Sequence, residues 1–346
     1  MTTRAKLNRQ RSLRNERPGA MKEHDVNFDR RSFLALTAAA AGYGLVGPAL
    51  ETAEAQILNP PQLPSPHKMR LWKGKPPGGG GPEGPIEVSK HGAVSNVSVP
   101  VIDIYMPAKP NGAAALIAAG GGYKRIEIES EAVPAARWLN QRGVIACVLT
   151  YRLPDEDWRM GALAPLQDAQ RALRLMHSGE VSKSIDPKKI GVLGFSAGGH
   201  LMAMAATRTT LRAYRAVDDA DRASDRTAFC ALAYPIISLK LPHDHTSTRR
   251  VLIGRHPSWA GEVEWSVETH VRKSCPPVFM VQAADDRISN PKNTAIMEEA
   301  CEKEGIPVER HLLASGGHGF GMGKPGTPTT EWPAMLDKWL KARKII

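Results

Sequence analysis

The chain has 346 residues and a formal net charge of +11 at pH 7, with 46 Lys and Arg against 35 Asp and Glu. This length predicts one large domain or two small ones. The basic residues are scattered and form no nucleic-acid-binding motif, so nucleic acid is excluded from the expected partners.

The four cysteines match no zinc-binding spacing, and no metal site is predicted. Cys147 and Cys230 lie in apolar runs typical of core positions, while the pairing of the cysteines stays open.

An export signal is predicted over residues 1–55. Asp29–Leu34 is a twin-arginine pattern, Leu34–Leu50 is a weakly apolar stretch, and Ala53–Ala55 is a small-x-small cleavage site. We therefore predict a twin-arginine signal peptide, the twin-arginine export machinery as a partner, and a periplasmic or secreted mature protein. The apolar stretch is short and rich in Ala and Gly, so no stable membrane anchor is expected after cleavage. The alternative is a cytoplasmic enzyme with a disordered basic tail.

Residues 56–96 show little of the regular apolar spacing that is typical of core helices and strands. Segments 59–61 and 76–82 are rich in Pro and Gly, which disfavour helices and central strands. We predict that this stretch is an extended, partly flexible arm that lies over the surface of a domain formed by residues 97–346.

From residue 97 onward, apolar strands alternate with amphipathic helices. The predicted strands are Val97–Tyr105, Ala113–Ala119, Val144–Leu149, Ile190–Gly194, Phe229–Ile237, Val278–Ala284 and Val308–Leu313, and the predicted helices are Glu131–Arg142, Leu163–His177, Gly199–Thr207, Pro291–Glu304 and Glu331–Arg343. This alternation predicts an α/β fold with a mostly parallel central sheet and helices on both faces. Residues 239–274 are polar and rich in His and Trp, interrupt the alternation, and are predicted to form a small cap.

Ser196 is the first candidate for a functional side chain. The segment Gly194–Gly199 follows an apolar run and has the G-x-S-x-G pattern at a predicted strand-to-helix turn. Glycines two positions before and after the serine are needed because a Cβ atom would clash in so tight a turn. Such a strained turn exposes the serine oxygen to a substrate carbonyl, and the N–H of Ala197 can point at the same carbonyl oxygen. The pattern predicts a nucleophile.

A serine hydroxyl becomes a nucleophile only when a base lies within hydrogen-bond reach. His318 is the predicted base, because the glycine-rich loop Ser315–Gly321 after the last strand can bring its imidazole back over the sheet edge. Asp285 and Asp286 follow the strand Val278–Ala284, and a carboxylate at that position can orient the imidazole. The residues themselves leave the choice between the two aspartates open.

Attack on an ester carbonyl places negative charge on its oxygen, which preorganised N–H donors stabilise. Gly120–Gly122 follow the second predicted strand, where such a donor is expected, and three glycines allow the backbone to approach a substrate closely. The predicted oxyanion hole consists of the N–H groups of Gly121, Gly122 and Ala197. Tyr123 borders this loop and is predicted to bind substrate.

These motifs resemble the α/β-hydrolase fold, in which serine, carboxylate and histidine follow one another in this order. More narrowly, the chain is similar to exported carbohydrate esterases of the acetyl-xylan and feruloyl esterase type. The matching segments are Gly120–Tyr123, Gly194–His200, Gln282–Asp286, Ile306–His311 and Gly316–Gly321. The resemblance covers about residues 97–345 and implies Asp286 as the triad acid, with Asp285 as the second choice. Ala119 stands where many relatives carry His, so one hydrogen bond of the loop has to be replaced.

The resemblance implies a serine esterase that removes short acyl groups, chiefly acetyl, from carbohydrates or polysaccharides. The implied mechanism passes through an acyl-enzyme and needs neither a metal nor an organic cofactor. The same constellation also serves peptidases and lactone hydrolases, which are the alternatives among enzymes. A non-catalytic binding protein with the same fold is the alternative outside enzymes.

Overall fold

The computed structural model describes residues 65–243 and 245–346. The predicted export signal, residues 56–64 of the predicted arm, and Asp244 lie outside the described residues. No helix in these described ranges is both long and apolar enough to span a lipid bilayer.

A central eight-stranded sheet organises the described chain. Its strands, in spatial order, are β1 (His67–Arg70), β4 (Val101–Tyr105), β6 (Ile145–Thr150), β5 (Ala114–Ala118), β7 (Ile190–Phe195), β8 (Cys230–Ala233), β9 (Val278–Ala283) and β10 (Val308–Leu313), and a separate antiparallel pair consists of β2 (Glu87–Val88) and β3 (Val94–Ser95). The strand β4 runs antiparallel to β1 and β6, whereas β5 to β10 are parallel. The strands β6, β7 and β9 are buried along their whole length, so the sheet is covered on both faces, as predicted.

The described residues also form α-helices. They are α1 (Val133–Asn140), α2 (Leu163–His177), α3 (Ser196–Thr207), α4 (Ser247–Ile253), α5 (Trp259–Trp265), α6 (Lys292–Lys303) and α7 (Trp332–Ala342). A π-helical turn, Ile128–Ala132, leads into α1. The helix α7 buries Trp332 and Trp339, and the Trp339 ring packs against Phe229 and Phe279 of the sheet region. Large aromatic side chains therefore fix the closing helix to the core.

Two element boundaries differ from the sequence prediction at positions with left-handed backbone. The strand β8 ends at Ala233 rather than Ile237, because Tyr234 has φ +39° and leaves the extended conformation. The helix α3 begins at Ser196 itself, with φ +50°, rather than at Gly199. The pattern of apolar residues alone does not reveal such turns, because the side chains before and after each turn are equally buried.

The described part of the predicted arm is more ordered than expected. Its strand β1 pairs with β4 in the main sheet, and Leu71 and Trp72 are buried directly after it. The indole Nε1 of Trp72 donates to Asp168 Oδ1 of α2 at 2.8 Å, and Arg171 Nε donates to the carbonyl oxygen of Leu71 at 2.9 Å. Residues from 65 onward therefore belong to the same compact unit as the main sheet, whereas the sequence predicts a boundary at residue 97.

The predicted cap, residues 239–274, contains the two short helices α4 and α5. Arg249 of α4 holds them together, because its Nε donates to the Leu239 carbonyl at 2.9 Å and its guanidinium pairs with Glu262 of α5 at 2.8 Å. Trp265 packs against the core, whereas Trp259 is 75% exposed. The described residues of the predicted cap thus include two helices joined by side-chain hydrogen bonds.

All four cysteines are buried, and none forms a disulfide. Cys147 lies in β6 and Cys230 in β8, as the apolar runs predict. Burial raises the pKa of the Cys147 thiol to about 12, so this side chain stays protonated and packs as a small apolar group.

A buried ion pair connects β6 to α2. The side chains of Arg152 and Asp168 are both 0% exposed, and Arg152 Nε lies 2.9 Å from Asp168 Oδ2. The guanidinium also donates to the Gln167 side chain and to the carbonyl oxygens of Pro77 and Ala164. Such a pair is costly to break, because the remaining charge stays buried without its partner.

We expect Asp168→Asn to destabilise the protein by about 3–5 kcal/mol, since it leaves the Arg152 charge buried and uncompensated. Urea unfolding followed by circular dichroism measures this change. Asp219→Asn is the matched control, because Asp219 forms an exposed pair with Arg222 and its loss should leave the unfolding midpoint unchanged. Equal midpoints for Asp168→Asn and wild type would contradict the expectation.

Candidate active site

Ser196 lies at the sharp turn between β7 and α3. Its φ of +50° lies in the left-handed region, which is strained for a residue with a side chain. A Cβ atom at Gly198 would come within 2.2 Å of the carbonyl oxygen of Ala118, and one at Gly194 within 2.5 Å of that of Gly198. The glycines therefore allow the turn to pack against β5, and the serine lies at the carboxyl edge of the sheet.

His318 reaches Ser196 from the loop between β10 and α7. We call Ser315–Gly321 the histidine loop; its glycines at 317 and 319 have φ +68° and +73°, which turn the chain back toward the sheet. Ser196 Oγ lies 2.8 Å from His318 Nε2. The ring of Tyr234 packs edge-on against the imidazole, with 4.9 Å between the ring centroids.

Asp286, rather than Asp285, contacts the imidazole. Its Oδ2 lies 2.8 Å from His318 Nδ1, and its Oδ1 accepts hydrogen bonds from the N–H groups of Ile288 and Ser289 at 2.9 Å. Because a carboxylate only accepts, Nδ1 carries the proton and Nε2 is left to accept from the hydroxyl of Ser196. The geometry brings together the serine, histidine and second aspartate that the sequence singled out.

Asp285 has a different place in the structure. It is exposed, and its Oδ1 accepts the N–H of Gly317 at 2.8 Å. This hydrogen bond holds the pKa of Asp285 below its usual value. The first aspartate thus fastens the histidine loop to the end of β9, while the second faces the imidazole.

The segment Gly120–Gly122, which we call the oxyanion loop, lies directly against the nucleophile. A Cβ atom at Gly120 would come within 2.7 Å of Ser196 Cβ. Among the described residues, the N–H groups of Gly121 and Gly122 donate to no acceptor. The N–H of Ala197 belongs to the first turn of α3, where helix geometry provides no internal partner. The three N–H groups that the sequence predicts as oxyanion donors therefore have no acceptor among the described residues, and Gly120 packs their loop against Ser196.

Glu131 holds the oxyanion loop in place. Its Oε2 accepts the N–H of Gly120 at 2.5 Å, and its Oε1 accepts the hydroxyl of Tyr234 at 2.9 Å. Burial raises the pKa of Glu131 to about 7, although both of these hydrogen bonds lower it. The sequence did not single out Glu131 or Tyr234: an acid near a helix start ordinarily pairs with the helix dipole, and a tyrosine after a strand is ordinarily core.

Tyr123 does not line a surface, which corrects its predicted contact with substrate. Its side chain is 1% exposed, and its hydroxyl lies 2.9 Å from Nδ1 of the buried His200. His200 Nε2 lies 2.8 Å from the carbonyl oxygen of Trp265, so Nε2 carries the proton and Nδ1 accepts from the tyrosine. Burial lowers the pKa of His200 to about 4, and the ring is neutral at physiological pH. Tyr123 therefore connects the oxyanion loop to the cap.

Comparison with known proteins relates this geometry to a family. The model of the BD-FAE family matches residues 102–301. An acetylxylan esterase of Xylanibacter ruminicola is 28% identical over 244 residues, which make up 69% of this chain and 47% of that relative. Endo-1,4-beta-xylanase B of Butyrivibrio fibrisolvens is 29% identical over 59% of this chain and 32% of its own. The chain thus spans about half or less of the length of these curated relatives.

Solved structures agree with the sequence comparison. An acetyl ester-xyloside bifunctional hydrolase from Caldicellulosiruptor lactoaceticus is 30% identical, with a TM-score of 0.68 and coverage of 83% of this chain and 99% of that chain. A carboxylesterase from Lactobacillus plantarum WCFS1, 22% identical over 76% of this chain and 98% of its own, shares the fold with a TM-score of 0.62. The predicted α/β-hydrolase fold and the resemblance to carbohydrate esterases are confirmed, and the predicted class of carboxylic ester hydrolase agrees with these relatives.

The raised pKa of Glu131 predicts a pH-dependent stability. Because the folded pKa of about 7 exceeds the value of 4.5 for a free glutamate, the folded state binds this proton more tightly than the unfolded state. The resulting stabilisation is complete below pH 4.5 and is lost as the pH rises through 7, by roughly 3 kcal/mol. Urea unfolding between pH 5 and 8 should therefore show wild type losing stability relative to Glu131→Gln.

Glu129→Gln is the control for this experiment, since Glu129 is exposed on the same turn. It should keep the pH dependence of wild type. Parallel stability curves for wild type and Glu131→Gln would contradict the assignment of the titration to Glu131.

Proposed function

We propose that this chain, which belongs to the BD-FAE family, is a serine hydrolase that cleaves carboxylic esters of short acyl groups, chiefly acetyl, on carbohydrates. The observation that carries the proposal is the hydrogen-bonded series Ser196–His318–Asp286 beside unpaired backbone N–H groups. A nucleophile, an oriented base and oxyanion donors at one sheet edge are the parts that acyl transfer requires.

In the first half of the reaction, His318 Nε2 accepts the proton of the Ser196 hydroxyl as Oγ attacks the ester carbonyl carbon. The carbonyl oxygen becomes negatively charged and accepts hydrogen bonds from the N–H groups of the oxyanion loop and Ala197. One such donor is worth about 10²–10³ in kcat. Asp286 stabilises the imidazolium that forms, because its Oδ2 accepts the Nδ1 proton.

In the second half, the tetrahedral intermediate collapses and the alcohol leaves with the proton from His318. An acyl-enzyme remains on Ser196 Oγ. Water then gives a proton to His318 Nε2 and attacks the acyl carbon. The bond between this carbon and Ser196 Oγ breaks, Oγ takes the proton back from His318, and the acid is released. Each step uses only these side chains and backbone N–H groups.

The proposed substrate class rests on the relatives, and the oxyanion loop packs closely against its neighbours. Two of the relatives are an acetylxylan esterase and an acetyl ester-xyloside hydrolase. Gly120 lies against Ser196, and a Cβ atom at Gly122 would come within 2.1 Å of the Ser247 hydroxyl at the start of α4. Protein atoms therefore contact the loop on two sides.

We further propose that the protein acts outside the cytoplasm, in the periplasm or after secretion. The support is the twin-arginine pattern and cleavage site within residues 1–55, which lie outside the described residues. A carbohydrate polymer as substrate is consistent with such a location.

Ser196→Ala should lower the hydrolysis of acetyl esters by about 10⁴-fold or more while leaving the unfolding midpoint close to that of wild type. The assay panel consists of 4-nitrophenyl acetate and octanoate, acetylated xylo-oligosaccharides, methyl ferulate, a lactone and a peptide amide. We expect the acetyl esters to be the best substrates.

Other outcomes of this panel separate the alternatives. Faster cleavage of the amide or the lactone would replace the esterase proposal by a peptidase or lactone hydrolase. Absence of turnover on the whole panel, together with no labelling of wild type by a fluorophosphonate, would favour a binding protein.

The two aspartates form a second, matched test. Asp286→Asn should lower kcat by about 10³–10⁴, because an amide no longer fixes the imidazole tautomer. Asp285→Asn should lower it less than about tenfold, since the side chain contacts only the loop backbone. Both variants are assayed on 4-nitrophenyl acetate, and a reversed order of effects would overturn the assignment of the triad acid.

A further inference from the structure

We infer that Glu131 and Tyr234 are positioning residues that join the oxyanion loop to the histidine loop through a continuous series of hydrogen bonds. This inference rests on the proposed function, because it concerns the relative placement of the oxyanion donors and the base. Neither side chain belongs to the triad, and neither donates to the oxyanion.

We call this series of hydrogen bonds through Glu131 and Tyr234 the bridge. Its first half fixes the oxyanion loop. Glu131 Oε2 accepts the N–H of Gly120, and the carbonyl oxygen of the same residue accepts the N–H of Glu127 at 3.1 Å. Both polar groups of Gly120 are therefore held by the segment around the π-helical turn Ile128–Ala132. The next two residues are left to direct their N–H groups toward the substrate, so the orientation of those donors depends on Glu131.

The second half reaches the histidine loop. The hydroxyl of Tyr234 donates to Glu131 Oε1 at 2.9 Å and accepts the N–H of Gly321 at 3.0 Å. The ring of Tyr234 also packs against His318 and Phe320, with centroid separations of 4.9 and 4.4 Å. One tyrosine thus contacts the loop through both its hydroxyl and its ring.

Close backbone packing supports the same connection. A Cβ atom at Gly321 would come within 2.8 Å of the carbonyl oxygen of Ser130, the residue before Glu131. The histidine loop therefore lies directly on the π-helical turn that carries the carboxylate. Single π-helical turns occur frequently at functional sites, where they place a side chain that a regular helix would turn away.

The chemistry of the bridge restricts which side chains can form it. Glu131 receives two donors, the Gly120 N–H and the Tyr234 hydroxyl, and only a carboxylate accepts on both oxygens. An amide at this position places an N–H₂ group opposite one of these donors. The hydroxyl of Tyr234 both donates and accepts, and phenylalanine leaves Glu131 Oε1 and the Gly321 N–H without that partner. Single-atom substitutions at either position therefore break the bridge with little change in volume.

Loss of the bridge should destabilise the transition state more than the bound substrate. The oxyanion donors act only where the carbonyl oxygen becomes charged, and a misplacement of about 1 Å can cost about 10²-fold in rate. Ground-state binding of the ester does not use these contacts to the same extent. Loss of the bridge should therefore lower kcat and leave KM nearly unchanged.

The test compares wild type, Glu131→Gln, Tyr234→Phe and the double variant on 4-nitrophenyl acetate. Glu129→Gln is the matched control, since it removes an exposed carboxylate from the same turn. We expect each single variant to lower kcat by about 10–10² with KM within about threefold. A phenylboronic acid, which forms a tetrahedral adduct on serine, should bind more weakly by a similar factor. The double variant should resemble the single variants, because either substitution already breaks the same bridge.

Three results would overturn the inference while the esterase proposal stands. These are unchanged kcat in folded Glu131→Gln and Tyr234→Phe, a rise of KM alone, or effects that multiply in the double variant. If Glu131→Gln does not fold, Tyr234→Phe decides by itself, since it changes no charge. Failure of the proposed function has a different signature, because wild type would then hydrolyse no ester or would cleave the amide or the lactone faster than the acetyl esters.

Discussion

The close approach of three backbone segments around Ser196 is the constraint on which the candidate active site depends. Gly198 packs against the end of β5, Gly120 packs against Ser196, and Ser196 itself adopts a left-handed conformation. No side chain larger than hydrogen fits at either glycine without displacing backbone. Because the packing is this tight, the nucleophile and the oxyanion loop occupy one rigid unit at the carboxyl edge of a buried parallel sheet.

The predictable parts of this arrangement are those that local sequence encodes. Ser196 and His318 stand in glycine patterns next to apolar strands, and the structure brings these two side chains within hydrogen-bond distance. The choice of Asp286 over Asp285 needed the family resemblance, because the sequence pattern does not distinguish two adjacent aspartates at a strand end. Glu131 and Tyr234 lie 103 positions apart, and a hydrogen bond at such separation leaves no periodic signal. A residue next to a motif does not always face the site: Tyr123 follows the oxyanion loop in sequence, but its side chain is buried in the core.

Burial accounts for the electrostatic character of the residues around the site. The neutral ring of His200 connects the oxyanion loop to the cap without introducing a charge that could titrate near neutrality. Burial raises the pKa of Glu131, by contrast, while its two hydrogen-bond donors lower that pKa. In the described part of the arm, the Pro- and Gly-rich sequence gives little sign of the buried residues Leu71 and Trp72, which fasten the arm to α2.

The outer strands of the described sheet have a consequence for solubility. The strand β1 has the sequence HKMR and β10 has VERHLL, whereas the strands between them are mostly apolar. An unpaired strand edge is a template for association with another chain, and charged side chains there oppose it. The composition of these two strands therefore discourages fibril-like growth of the sheet beyond its own borders.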